Sequence, residues 1–246
     1  MDINMWSALS KSRAGIWWYR ALHSNIYIFL SKYLTRHDGN ILDAGCGSGA
    51  LGDFLKNLCV GARITNIDVS EAACDFVKRY SDIPICRASI EVMPFQDEEF
   101  DVIICTDVLC QAGVDDRRAI REAWRCLRQS GIYIVNLPAY AWLFSSYDRI
   151  VNNARRYRLK DACQLLESEG FHIYKATHWN SILFPLMVAR RKLFAPNMRN
   201  KNVDFFAGDA FLPVVLWSLL AIERMLLSVG VSLPFGGSIL IVAYKA

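Results

Sequence analysis

Apolar positions Leu22, Ile26, Phe29, Leu30, Tyr33 and Leu34 recur at helical spacing and predict an amphipathic helix over residues 21–36. Asp38 and Gly39 break that pattern, and ILDAG (41–45) reads as a buried strand. From there the period alternates. LGDFLKNLC (51–59) is helical, RITNIDVS (63–70) extended and EAACDFVKRY (71–80) helical. IPICRAS (83–89) and FDVIICTDVL (100–109) predict two more strands, the second rich in β-branched residues. DDRRAIREAWRCLRQSG (115–131) predicts a helix with a glycine stop, followed by the strand IYIVNLP (132–138). Strands without a polar face, alternating with helices, imply an α/β fold: a mostly parallel sheet covered by helices on both faces.

Beyond residue 138 the rhythm changes. AYAWLFSSYDRIVNNARRYR (139–158) is polar, aromatic and basic, LKDACQLLESEG (159–170) is helical, and FHIYKATHW (171–179) predicts a sixth strand. Some fifty helical or irregular residues then precede SILIVAYK (238–245), the expected seventh strand. Residues 1–180 and 236–246 are therefore expected to form one α/β domain, with residues 181–235 inserted as a helical cap before the last strand. FLPVVLWSLLAI (211–222) is flanked by Asp209 and by Glu223 and Arg224, and contains Pro213. It falls short of the roughly 18 uninterrupted apolar residues of a membrane span.

Composition narrows the class. With 246 residues, 53% of them hydrophobic and 21% charged, the chain resembles a folded protein, and its net charge of +4 does not argue for nucleic acid. The eight cysteines show no C-x-x-C pair, which suggests buried thiols in a reducing compartment and no metal centre. The N-terminal stretch lacks the order of an export signal, so a cytoplasmic location is expected.

The chemistry concentrates in ILDAGCGSGALG (41–52). Read from Gly47 this is G-x-G-x-x-G, a dinucleotide fingerprint; read from Asp43 it is D-x-G-x-G-x-G. In open parallel sheets ligands sit beyond the carboxyl ends of the strands, where strand order reverses. A dinucleotide loop aims amide donors at phosphates, which a preceding carboxylate would repel. S-adenosylmethionine has no phosphate and carries an ammonium and a sulfonium, so Asp43 favours it. Asp68, at the end of the second strand, suits the ribose hydroxyls of either cofactor.

ILDAGCGSG, NIDVSEAACDF, EVMPFQDEEFDVIICTDVL and EAWRCLRQSGIYIVNLPA, in this order over residues 40–138, resemble the class I S-adenosylmethionine-dependent methyltransferases with a Rossmann-like sheet. The resemblance implies a seven-stranded sheet and a cofactor set of Asp43, Gly45, Cys46, Gly47, Gly49, Asp68 and Val69. It adds Ser89 and Ile90 at the adenine, and Thr106 and Asp107 near the transferred methyl. Trp18 and Tyr19 belong to WWYRAL, which looks like part of an N-terminal helical lid (1–36) in a bacterial subgroup of the family. A structural aromatic face is an equal reading of these rings. The family's usual Asp is replaced by Ser89, and histidines common in the family are replaced by Gln111, Tyr147 and Asn153.

The resemblance implies methyl transfer to a small-molecule acceptor. His178, Tyr157 and Gln111 are then the catalytic candidates, and Tyr140, Tyr147, Asn153 and Arg156 the acceptor contacts. Arginine forks suit a phosphate or carboxylate on the acceptor, although a solvated basic surface explains Arg155, Arg156, Arg158 and Lys160 equally well. A structural role for His178, and plain burial of Cys105 and Cys110, are the preferred readings of those residues. SILFPLMVARRKLF joins an apolar run to basic residues. It is read first as part of a core-completing cap and second as an apolar acceptor pocket with peripheral membrane contact. Two alternatives remain: a non-methylating S-adenosylmethionine protein such as a cyclase, and an NAD-dependent oxidoreductase.

Overall fold

A computed structural model describes residues 17–33, 39–193 and 211–246. The first sixteen residues of the expected lid and the middle of the expected cap lie outside the described residues. In chain order the elements are α1 (Trp17–Tyr33), β1 (Asn40–Ala44), α2 (Ala50–Lys56), β2 (Arg63–Asp68), α3 (Glu71–Tyr80), β3 (Ile85–Arg87) and β4 (Phe100–Thr106). Then follow α4 (Asp116–Cys126), β5 (Leu127–Pro138), a short 3-10 turn, α5 (Ser146–Ile150), α6 (Leu159–Ser168), β6 (Phe171–Trp179), α7 (Phe184–Leu193), α8 (Phe211–Ser228) and β7 (Ser238–Lys245).

All seven strands join one sheet in the order β3-β2-β1-β4-β5-β7-β6. β7 runs antiparallel to both neighbours, and the other pairs are parallel. Alternation along each strand divides the core in two. Ile41, Val102, Ile104, Ile134, Leu240 and Val242 face α1, α2 and α8; Leu42, Ile103, Cys105, Tyr133, Val135 and Ile241 face α4 and α6. Helices on both faces remove these strands from water, which is why their sequences show almost no polar side. Strand order reverses between β1 and β4, so their carboxyl ends open a crevice.

α1 packs into the core. Ala21, Leu22, Ile26, Phe29 and Leu30 are buried, and Leu216, Leu220 and Leu227 of α8 join the same cluster. α8 thus packs against α1 and the sheet in one cluster.

One boundary differs from the sequence reading. The predicted helix over 115–131 ends at Cys126, and Leu127 already pairs with Phe100 of β4. Asp115 caps its amino end by accepting the Arg118 amide at 3.1 Å. Gly131 is no helix stop. A Cβ there would lie 2.7 Å from the Arg128 carbonyl oxygen, so the glycine serves a tight bend between Leu127 and Ile132, helped by Ser130 at φ 61°.

α8 is pinned by one carboxylate. Glu223, 1% exposed, accepts the backbone N–H of Asn180, of Ser181 (2.7 Å) and of Ile182 (3.2 Å), where the chain leaves β6. Glu223→Ala would leave three donors without their acceptor. It is expected to cost about 3 kcal/mol in urea unfolding, with Glu223→Gln, which retains one carbonyl oxygen, falling between. An unchanged midpoint would show that the clamp is dispensable. Among the described residues no helix is long and apolar enough to cross a membrane.

Candidate active site

The glycine turn closes the crevice from below. Gly45, Gly47 and Gly49 have φ of 82°, 54° and 71°, a region in which a side chain is strained. Cβ atoms added at Gly45 and Gly49 would lie 2.4 Å from Val108 Cγ2 and 3.0 Å from Val77 Cγ2. The Gly45 and Cys46 amides both donate to the Ile67 carbonyl at 2.9 Å, tying the turn to β2. Cys46 is half-buried within it.

Asp68 connects the turn to α3. Its Oδ2 accepts the Gly47 amide and its Oδ1 the Ser70 amide, each at 2.8 Å. Burial raises its pKa, opposed by these donors and the Val69 amide. Each oxygen keeps a second lone pair, so the half-buried carboxylate can still accept from a diol. Val69 is exposed at the rim, Ile90 is buried, and Ser89 forms a small bridge with Val92.

Asp43 lies beneath the turn rather than in the open crevice. It is 1% exposed, and neither of its oxygens has a hydrogen-bond partner. Burial, with a smaller push from the Asp68 charge, raises its pKa to about 7. On β2 its register partner, the fully buried Asn66, also has both amide atoms unpartnered. An isolated buried carboxylate is costly unless a positive charge or donor compensates it. Its acceptor oxygens fit a cationic, phosphate-free ligand above the turn and disfavour a pyrophosphate.

On the other wall, β4 ends at the half-buried Thr106, and Asp107 turns left-handed at φ 56°. Asp107 Oδ1 accepts from Asn136 Nδ2 at 3.0 Å, and Asn136 Oδ1 accepts from Trp179 Nε1 at 2.7 Å. Burial raises the Asp107 pKa to about 7, against the Arg156 charge and the Asn136 donor. Trp18 packs on Trp179 with centroids 5.2 Å apart, and Tyr19 meets Trp18 edge-on at 5.0 Å. Tyr19 keeps 38% of its surface, yet burial of its hydroxyl and the proximity of Tyr147 and Asp107 push its pKa upward. α1 therefore brings Trp18 and Tyr19 to the wall that carries Asp107.

Gln111 stays beside this wall, with Nε2 3.3 Å from the Asp107 carbonyl oxygen and a bridge to Asn153. Tyr147 is half-buried near Asp107, under the Arg191 guanidinium. Tyr140 lies farther out, stacked on His178 at 5.4 Å and packed against Trp142 and Phe184. His178 is 5% exposed. Its Nδ1 is 3.3 Å from the Leu233 carbonyl, which needs the proton on Nδ1, and its Nε2 is buried without a partner. Burial lowers the His178 pKa, so the ring is neutral at pH 7.

Two expectations are corrected. Arg156 offers no fork to an acceptor: its side chain is 4% exposed, Nε and Nη2 bind Asp148 at 2.8 and 2.7 Å, and Nη1 binds the Ala139 carbonyl at 2.9 Å. Tyr157 is a strut, since its hydroxyl contacts the Leu109 carbonyl (3.0 Å) and Asp116 (2.9 Å) within the body of the protein. Arg155 is likewise occupied by Asp116 and the Val114 carbonyl. Burial pushes the Cys105 thiol up to about 12 and Cys110 higher than its ordinary value, consistent with inert packing. The sequence reading missed Asn66 and Asn136, although a polar residue inside RITNID and IYIVNLP was a usable signal. Asp148 and Glu223 carried none that reveals their partners.

Comparisons with known proteins find similar methyltransferases. Residues 42–135 match the family model of the methyltransferase domain. A probable S-adenosylmethionine-dependent methyltransferase of Mycobacterium tuberculosis is 29% identical over 158 residues, 63% of this chain and 56% of its own. A ubiquinone biosynthesis O-methyltransferase of Coxiella burnetii is 27% identical over 61% of this chain and 70% of its own. A solved methyltransferase in complex with the Haloferax volcanii Trm112 methyltransferase activator shares the fold, with a TM-score of 0.64 at 16% identity over 99% of this chain and 97% of that one. The match spans little more than half the length of the mycobacterial relative.

Fold and site together define a nucleoside-binding α/β domain with a Rossmann-like sheet. Residues 42–135 match the methyltransferase domain family, and the relatives support a class I S-adenosylmethionine-dependent methyltransferase.

Proposed function

We propose that the protein catalyses direct in-line methyl transfer from S-adenosylmethionine to a small, largely apolar organic acceptor. The observation that carries the reading is the pair of unpartnered Asp43 oxygens under a turn of three left-handed glycines. The bound cofactor supplies an activated methyl group on a positively charged sulfur. The protein's task is then alignment and exclusion of water. Asp68 would hold the ribose hydroxyls, and Ile90 would border the adenine with Ser89. Trp18 and Tyr19 would cover the methyl end, where aromatic faces attract a sulfonium.

On the acceptor side, Gln111, Tyr147 and Asn153 would form the inner border. Tyr140, Trp142, Phe184 and Phe235 contribute a half-exposed aromatic rim, which supports an apolar substrate. Similarity to an O-methyltransferase of ubiquinone biosynthesis supports a small-molecule acceptor. Titration calorimetry with S-adenosylhomocysteine and with NADH tests the cofactor reading. Saturable binding of the first and none of the second is expected; binding of NADH alone would make the protein an oxidoreductase.

A further inference from the structure

With no histidine at the family's usual places and His178 packed under Tyr140, the site needs another proton acceptor if its substrate carries a proton on the attacking atom. We propose that Asp107 is that base, and that the acceptor is accordingly a proton-bearing oxygen or nitrogen rather than a carbon–carbon double bond. This rests on the methyl-transfer reading above.

The geometry singles out Asp107. It stands at the carboxyl end of β4, beside the point where strand order reverses, on a backbone held left-handed at φ 56°. Its amide donates to the Asn136 carbonyl at 2.9 Å, and the Asn136 side chain fixes Oδ1. Among the described residues Oδ2 has no hydrogen-bond donor, and the residue is only half-buried, so one oxygen remains for a substrate. Asn136 is itself held by Trp179, which makes both positioning residues. A strained backbone kept in place by its surroundings is frequent at reacting centres.

The charged and titratable groups around Asp107 come from every packed element: Tyr19 of α1, Cys105 of β4, Cys110 after it, Tyr147 of α5, and Arg156 paired with Asp148. The phenols and thiols are all shifted upward and stay neutral near pH 7. Asp107 is the member of this group that changes charge there, with a pKa raised to about 7. In the step, the acceptor's X–H proton passes to the Asp107 carboxylate and the lone pair on X forms the new bond to the methyl carbon. The carbon–sulfur bond breaks with its electron pair going to sulfur, which leaves neutral S-adenosylhomocysteine.

The test uses Asp107→Asn in the full chain, a near-isosteric change whose residue also tolerates the left-handed region. Calorimetry near pH 7 in buffers of different ionisation enthalpy counts protons released on binding. S-adenosylmethionine, with its charged sulfur, should expel more protons from the wild type than S-adenosylhomocysteine does, and this excess should fall in the variant. With tritiated methyl donor and a panel of phenols, catechols, primary amines and alkenes, the wild type should give O- or N-methyl product with kcat rising through about pH 7. The variant should lose at least a hundredfold in kcat, with KM little changed. An unchanged proton excess in the variant, unchanged kcat, or label found only on alkene carbon would overturn the proposal. Failure of both nucleosides to bind would take down the cofactor reading first, and this inference with it.

Discussion

Asp43→Asn is expected to make the ligand-free protein more stable at pH 8 and to weaken its hold on S-adenosylmethionine at least tenfold. The Asp43 carboxylate is buried, unpartnered and raised to about 7. In the unfolded chain it would ionise near pH 4. The folded state therefore binds this proton more tightly than the unfolded state, and stability falls as pH rises from about 4 to about 7. A shift of about three units at about 1.4 kcal/mol each gives an upper bound near 4 kcal/mol. The neutral amide removes that cost and also removes the negative charge a cationic ligand would meet. Thermal melts at pH 5 and pH 8, with calorimetry on the same samples, check both halves. A variant that binds S-adenosylmethionine as tightly as the wild type would sever the link between this carboxylate and the ligand.

Asp148→Asn should have the opposite sign. Asp148 is fully buried and accepts from Arg156 on Oδ1, from Arg191 on Oδ2 at 3.1 Å, and from the Ser145 amide at 2.8 Å. Burial alone would raise its pKa, but Arg156 and Arg191 outweigh it and hold the carboxyl below its ordinary value. For a depressed acid the stabilisation is complete above the unfolded pKa near 4, and is lost as pH falls through the folded value. Removing the charge leaves two guanidiniums buried at 4% and 10% exposure without their counter-ion. Breaking a buried pair from one side costs about 3–5 kcal/mol. Urea unfolding at pH 7 should show that loss, and the variant's acid sensitivity should flatten below pH 4. A loss under 1 kcal/mol would mean that water reaches the arginines. Arg156 also lowers the pKa of Asp107, so freeing it from Asp148 should move any pH–rate profile toward acid.

The two carboxylates differ by partner, not by depth. Both are essentially excluded from water, yet one sits between two arginines and the other beside an unpartnered asparagine. The first ties α5 to Arg156 and to Arg191 of α7; the second is an uncompensated cost to the fold.

Periodicity over a few residues, read from the chain alone, located all seven strands, because the burial of the central strands on both faces is written into their own side chains. The spacing of Gly45, Gly47 and Gly49 likewise marked a left-handed turn at the carboxyl end of β1, since such a turn after a strand is a local demand. The helix at 115–131 was read too long because strand pairing with Phe100, a distant contact, ends it at Cys126. The same limit explains the basic run at 155–158. Whether Arg156 faces solvent, an acceptor or the interior depends on Asp148, and the clamp depends further on Arg191, 43 residues beyond that acid. Trp179 reaches Asn136, and Glu223 reaches Asn180, across equal separations. Such pairings have no sequence period, because a charge finds its partner only after the sheet has assembled and excluded the water that would otherwise solvate it.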